Sequence, residues 1–441
     1  MKILIKFYNF KVLIFIIRGL QIKKIFLIFM TVSFSAFAEI IQISPKQAVN
    51  MALENSLDSE NALYKENIKK LYKNNAWNVF VPNVNLSSTL SRNPSALSEL
   101  ERDYWGFGFG VGINLSLSPS VLKRMQLVML EYESVKIERE SAVRNIKLNV
   151  LKSYNQLIAL KSTLKVFESQ IQNSKLKFEQ ARIAYNNGLI SEIDFLDAQL
   201  KYKKSQPDLD GQIINFEKSK EIFKLLIGLD PDQDFEIIGE LPDETIDFSL
   251  FNEALNFNES LEIKDLNMRL KMTEQLIDSL WLDTYLPSFS LSFSYSPYKS
   301  FHENSKGFST GFLASFSLNY GLTEIFPFSK SFTKIQDNNY QLKILQNNVE
   351  GKIRNLKSSI VQKRKDIRRY KAILDASKIN VELANKNYQM AFNAFNSGVM
   401  DLSKLNDIEL VYKQSDLKFI EDKLNYANSI LEYKNLINSL D

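Results

Sequence analysis

The chain contains no cysteine and a single histidine, His302, in 441 residues. The first absence excludes disulfides, thiolate metal centres and lipid attachment to a mature N-terminal cysteine. The second excludes a histidine-based catalytic triad and a multi-histidine metal site. Glycine and proline number only 14 and 10, and neither occurs between Ser120 and Asn187. Acidic residues are missing from the first 38 positions, which carry Lys2, Lys6, Lys11, Arg18, Lys23 and Lys24. There Lys23-Lys24 precede the apolar run IFLIFMTVSF and a small-x-small site at Ala36-Phe37-Ala38, the order of a signal peptide over 1–38. The competing reading is an uncleaved anchor that also uses the apolar stretch 3–17. Taking those six basic residues from the total of 55 leaves 49 against 51 acidic ones, a net charge of −2. The basic balance belongs to the leader, so nucleic-acid binding loses its support.

The breaker-free stretch after Ser120 predicts one very long helix, about 100 Å at about 1.5 Å per residue. Its stripe runs Val143, Ile146, Val150, Leu157, Leu160, Leu164, Phe167, Ile171, Phe178, Ala181, Tyr185, with Ser153 and Ser174 at the missing steps. Alternating steps of three and four over six heptads are a coiled-coil pattern. The stripe recurs in register as Ile353, Leu356, Ile360, Ile367, Tyr370, Leu374, Ser377, Val381, Tyr388, Ala391, Phe395. The following turn recurs as well: YNNGLISEIDFLDAQLKY (185–202) aligns with FNSGVMDLSKLNDIELVY (395–412), Gly188 over Gly398 and Asp197 over Asp407. Glycine just past a helix end is the expected left-handed stop, and a shorter helix then returns antiparallel. The chain therefore reads as a tandem duplication, 39–248 and 249–441. Each half opens with a helix, near 45–77 and 249–282, that ends at proline. Pro207 and Gly211 lie inside the first return helix, where a local kink or bulge is expected.

Two strand-like runs follow each of those prolines: Val84–Ser91 and Trp105–Leu117, then 288–296 and 307–320. In YWGFGFGVGINLSLS (104–118) every odd residue is apolar and every even one after Tyr104 is Gly, Asn or Ser. A soluble sandwich has the same alternation. A water-facing sheet, however, normally places charge on its polar side to block edge pairing, and here there is none. The apolar sides are aromatic-rich over about the ten residues that a tilted membrane strand needs. Lipid outside and small polar residues inside fit better. Only a closed barrel crosses a bilayer, and four strands are too few to close one. Several copies must pool their strands, whether into eight or twelve. Segments 92–103 and 297–306 are then external loops.

In these features the chain resembles the TolC family of outer-membrane efflux channels over essentially all of 45–440. The shared features are the duplicated helix–strand–strand–long helix–turn–short helix order, the proline entry to the strands and the turn NNGLISEIDFLDAQ. The resemblance implies an α+β membrane protein: a homotrimer with a twelve-stranded outer-membrane barrel continuous with a periplasmic α-helical coiled-coil barrel. It implies an outer-membrane exit duct of a tripartite efflux or type I secretion system, with a periplasmic adaptor and an inner-membrane pump of RND or ABC type. In the family, acidic residues six and nine places after each turn glycine ring the entrance. Here those places hold Asp194 and Asp197, then Lys404 and Asp407, and Lys404 departs from the pattern. Gly188, Leu189, Ile190, Gly398, Val399 and Met400 would form the adaptor-docking tip. Ordinary solvated turn charges and packing between neighbouring hairpins are the competing readings of these positions.

No cofactor, metal or catalytic set is expected, and an enzyme is disfavoured because the paired carboxylates sit on exposed turns with nothing to tune them. The alternative to a duct is a non-conducting periplasm-spanning spacer or adhesin with a barrel anchor.

Overall fold

A computed structural model describes residues 41–93, 104–242, 257–301 and 307–437; the leader 1–38 and His302 lie outside them. Two helices are far longer than any other element. Helix α3 (Val121–Asn186, 66 residues) returns as α4 (Glu192–Ile227), and α6 (Lys330–Asn396, 67 residues) returns as α7 (Leu402–Leu436). The heptad stripe is their inward face: Ile146, Val150, Leu157 and Ala181 are buried on α3, as are Leu356, Ile360, Ile367, Leu374 and Ala391 on α6. Among the described residues no helix is long and apolar enough to cross a membrane.

The expected first helix is two helices, α1 (Pro45–Asn55) and α2 (Leu57–Asn74), parted at Ser56, which caps α2 by accepting from the Ser59 N–H. Its counterpart in the second half is described as α5 (Leu261–Tyr285). The proline inside the first return helix does not break it, since α4 runs on from Glu192 to Ile227. Pro207 is exposed, so the backbone bond it forfeits is lost where water can replace it.

Two cores result. The first joins α1, α3 and α4 to a two-stranded parallel sheet, β1 (Ile41–Ile43) beside β4 (Phe235–Ile237), which the sequence pattern did not reveal. Phe223, Ile227, Leu157 and Ile43 are fully buried there. Tyr154 pins the sheet to α3: its hydroxyl lies 2.8 Å from the Ile43 carbonyl and 2.5 Å from the Ile238 carbonyl, and the Ile238 N–H donates to it at 3.2 Å. Burial raises the Tyr154 pKa against the lowering effect of the Ile238 backbone bond. Tyr154→Phe should therefore cost about 1–3 kcal/mol, the penalty for orphaned buried groups, read as a lowered denaturant midpoint with an unchanged slope. The second core gathers Ile263, Leu356, Ile367, Tyr426, Ile430 and Tyr433 from α5, α6 and α7. Glu432 of α7 ties the halves together by accepting from Lys152 of α3 and Lys363 of α6. Burial opposes its charge, yet the two lysines hold its carboxyl below the usual glutamate range.

The strands form one antiparallel sheet in the order β2 (Asn83–Asn93), β3 (Tyr104–Leu117), β5 (Ser288–Tyr295), β7 (Phe312–Asn319). Segment 297–306, expected to be a loop, contains strand β6 (Tyr298–Ser300), which pairs with β3 in the register that β5 begins: Val111 faces Tyr295 and Gly108 faces Tyr298. Pro297 interrupts the ladder only as a donor, for its carbonyl still accepts from the Phe109 N–H at 3.0 Å. Exposure alternates in the opposite sense to a soluble sheet. Phe289, Leu291, Phe293 and Tyr295 are 38–44% exposed while the serines between them are partly covered. Those serines bond across the polar face, Ser290 to Ser317 at 2.7 Å and Ser292 to Ser315 at 2.6 Å. On that face Gly106 lies under the Tyr298 ring, where any Cβ would overlap the phenol. Just past the end of β3, Asp283 of α5 ties down the start of α3 by accepting from the Ser120 N–H (3.2 Å), the Ser120 hydroxyl (2.8 Å) and Arg124 (2.7 Å).

Candidate channel entrance

The two helix–turn–helix tips have the same backbone. Gly188 and Gly398 adopt φ of +68° and +73°, a region a side chain disfavours. Gly188 N–H donates to Tyr185 and Leu189 N–H to Ala184; Gly398 and Val399 donate to Phe395 and Ala394 in the same way. This paired bonding is the Schellman stop. The next helix then starts on a capping side chain in each tip: Ser191 accepts from the Asp194 N–H at 3.2 Å, and Asp401 from the Lys404 N–H at 2.7 Å. Leu189 and Val399 are left 75% and 83% exposed, and Ile190 and Met400 half-covered.

The sequence-chosen charges stand on the first two turns of α4 and α7. Asp194 is exposed and accepts from the Ser191 hydroxyl at 2.6 Å. Asp197 pairs with Lys201 at 2.7 Å. Lys404 is exposed and its backbone is capped by Asp401. Asp407 differs from the others, because it lines a cavity of about 340 Å³ between the two hairpins.

That seam holds the groups that sequence reasoning missed. Within each hairpin the helices meet through stacked rings: Phe178 on Tyr202 (5.6 Å), Tyr185 on Phe195 (5.1 Å) and Tyr388 on Tyr412 (5.7 Å). Between hairpins, α3 and α7 run antiparallel and meet through polar rungs. Lys177 donates to Glu409 and, at 3.4 Å, to Asn406. Lys413 donates to Gln170, and Asn155 to Asn428 at 3.2 Å. The Lys177 side chain is 6% exposed and lies over the Tyr388 ring. Burial, with Glu409 and Tyr412 nearby, pushes the Tyr388 phenol up to about 12. Burial lowers the Lys413 pKa and raises that of Asp416, whose carboxyl also lines the cavity. Partners more than 200 residues apart leave no local pattern, so nothing in the sequence could have singled these out.

A pair of capped helical hairpins beside a β-sheet with an exposed apolar face is an arrangement this chain shares with solved outer-membrane channels. Residues 49–210 match the family described as outer membrane efflux protein. Among solved structures, the CmeC outer membrane channel of Campylobacter jejuni superposes with a TM-score of 0.71 at 14% identity, over 90% of this chain and 85% of that one. The outer-membrane channel OprN gives 0.72 at 13% identity, covering 90% of each. The outer membrane protein VceC of Vibrio cholerae gives 0.69 at 14% identity, over 90% and 95%. No curated protein matches the chain in sequence. The chain thus shares its fold with these solved channels, and the family match covers residues 49–210.

Proposed function

We propose that three copies pool their strands into a twelve-stranded barrel in the outer membrane and continue it as a helical barrel through the periplasm. Each copy would be a tandem repeat, 39–248 and 249–441, exported on 1–38. The observation that carries this reading is the sheet itself: strands β2 and β7 have no outer partner among the described residues, and the apolar face is the exposed one. In hydrocarbon such edges must be closed, and further copies of the chain can close them. The product is a passive exit duct of a tripartite efflux or type I secretion system, not an enzyme. It would pass drugs, toxic small molecules, or peptides and proteins from a periplasmic adaptor driven by an RND or ABC pump. Gly188, Leu189, Ile190, Gly398, Val399 and Met400 would dock the adaptor, and Asp194, Asp197, Lys404 and Asp407 would ring the entrance.

Single-channel recording of the signal-cleaved oligomer in a planar bilayer tests this. Steady, small, cation-preferring steps are expected. Asp194→Asn with Asp407→Asn should raise the half-blocking concentration of a trivalent cation about tenfold, since about 1.4 kcal/mol of lost attraction is one decade. Unchanged blockade would remove both aspartates from the entrance. An inserted oligomer that stays silent even with Lys404→Asp would return the non-conducting spacer reading.

A further inference from the structure

The described strands of the sheet carry two charged side chains, Arg92 and Lys299, and no acidic one. Both are basic, and both stand on the apolar face. Arg92 faces Trp105 across β2 and β3, in line with Val84, Leu86 and Leu90. Lys299 faces Phe107 across β3 and β6. Phe301 continues the Arg92–Trp105 row, its N–H donating to the Trp105 carbonyl at 2.8 Å. The two cations thus occupy the last two rows of the apolar face, at the hairpin end away from the helices.

Their height is informative. Lys299 lies ten residues beyond Phe289, which sits beside the helical end, so the separation is about 33 Å along the strand. A tilt of about 40° reduces that to about 25 Å, the height of the apolar band of an outer-membrane barrel. A charge inside that band is costly, whereas at its rim it meets headgroups. Aromatic rings surround it: the Lys299 ammonium is 5.7 Å from the Phe301 centroid and 5.8 Å from that of Phe308, and Trp105 and Phe301 are exposed beside it. Below lie Phe109, Tyr295 and Phe312, exposed on the same face.

We propose that Arg92 and Lys299 form a docking site for the phosphorylated headgroup of an anionic glycolipid in the outer leaflet, its acyl chains lying along Phe109, Tyr295 and Phe312. The site rests on the barrel reading above, which puts the hairpin end outside the cell. Guanidinium recognises phosphate bidentately and ammonium as a point charge. One strand lies between the two residues, a sideways gap of about 10 Å at about 4.8 Å per strand. That spacing favours a disaccharide headgroup with a phosphate at each end over a lipid with a single phosphate.

Native mass spectrometry of the detergent-solubilised, signal-cleaved oligomer decides the matter, with lipid A as the probe in bisphosphorylated and phosphate-free forms. The wild type should retain the bisphosphorylated lipid and lose it at least tenfold when both phosphates are absent. R92Q/K299Q should show the same tenfold loss, while R92K/K299R, which keeps both charges, retains the lipid. Lys378→Gln, an exposed basic residue on α6, should change nothing. Equal retention by R92Q/K299Q, or equal retention of the phosphate-free lipid, overturns the site. Should R92Q/K299Q fail to assemble, the two lipid forms on R92K/K299R decide alone. Insertion of the wild type into vesicles is scored separately. Failure there brings down the barrel reading together with the site, whereas insertion without lipid A retention overturns the site alone.

Discussion

Arginine in place of Phe293 is expected to remove most of the proposed barrel from the membrane fraction. Phe293 belongs to the row Val84–Ile113–Phe293–Ala314, which crosses all four strands near mid-height. Its side chain is exposed in the single chain, which for a phenylalanine in water would be a liability repeated along the whole face. If that face meets lipid, arginine near the midplane costs about 2–4 kcal/mol per copy, and the proposed trimer multiplies the penalty by its number of copies. The neighbouring residue supplies the control. Ser292 projects to the opposite face, where it bonds to Ser315 at 2.6 Å. Ser292→Lys should insert normally and alter only conductance, since charge in the lumen tunes selectivity without entering hydrocarbon. Heat-modifiable oligomer on a gel separates the two variants. Insertion of Phe293→Arg together with failure of Ser292→Lys would mean that the apolar face points inward.

The same two residues show what a sequence of this kind discloses. The period of two from Ser288 to Tyr295 needs only local backbone geometry, so the faces could be read without coordinates. The same holds for the heptads of α3 and α6 and for the glycine stops at 188 and 398, whose φ values need no partner to be anticipated. Pairs that close over long separations were illegible. The β1–β4 sheet joins Ile41 to Phe235 through three-residue strands too short to show a period. Strand β6 was hidden by Pro297, which reads as a loop signal although its carbonyl keeps the ladder going. At the tips the glycine stops let Asp194, Asp197, Lys404 and Asp407 be placed near the starts of α4 and α7. The sequence could not show that Asp407 opens onto a cavity shared with Lys177 and Glu409.

That cavity marks the joint with the second large expected effect. Lys177 and Glu409 come from different hairpins, and their side chains are 6% and 19% exposed. Glu409→Gln leaves an ammonium buried against Asn406 and Tyr388 with no counter-charge, and breaking such a pair costs about 3–5 kcal/mol. Lys177→Met strands the carboxylate instead and should cost a similar amount. Joining Lys177→Met with Glu409→Leu removes both charges. An apolar pair of similar size often restores or exceeds the original stability, so the double variant should be more stable than either single one. Denaturant unfolding of all four proteins gives the coupling energy directly. A double variant as unstable as the sum of the singles would mean that the two side chains act independently and that the seam depends on its other rungs. The ring stacks of Phe178 with Tyr202 and of Tyr388 with Tyr412 lie inside each hairpin, and only Tyr388 also touches the pair, through Lys177. Loss of the charge pair should therefore loosen α3 from α7 while each hairpin keeps its own packing, making this polar seam the first part of the helical region to yield.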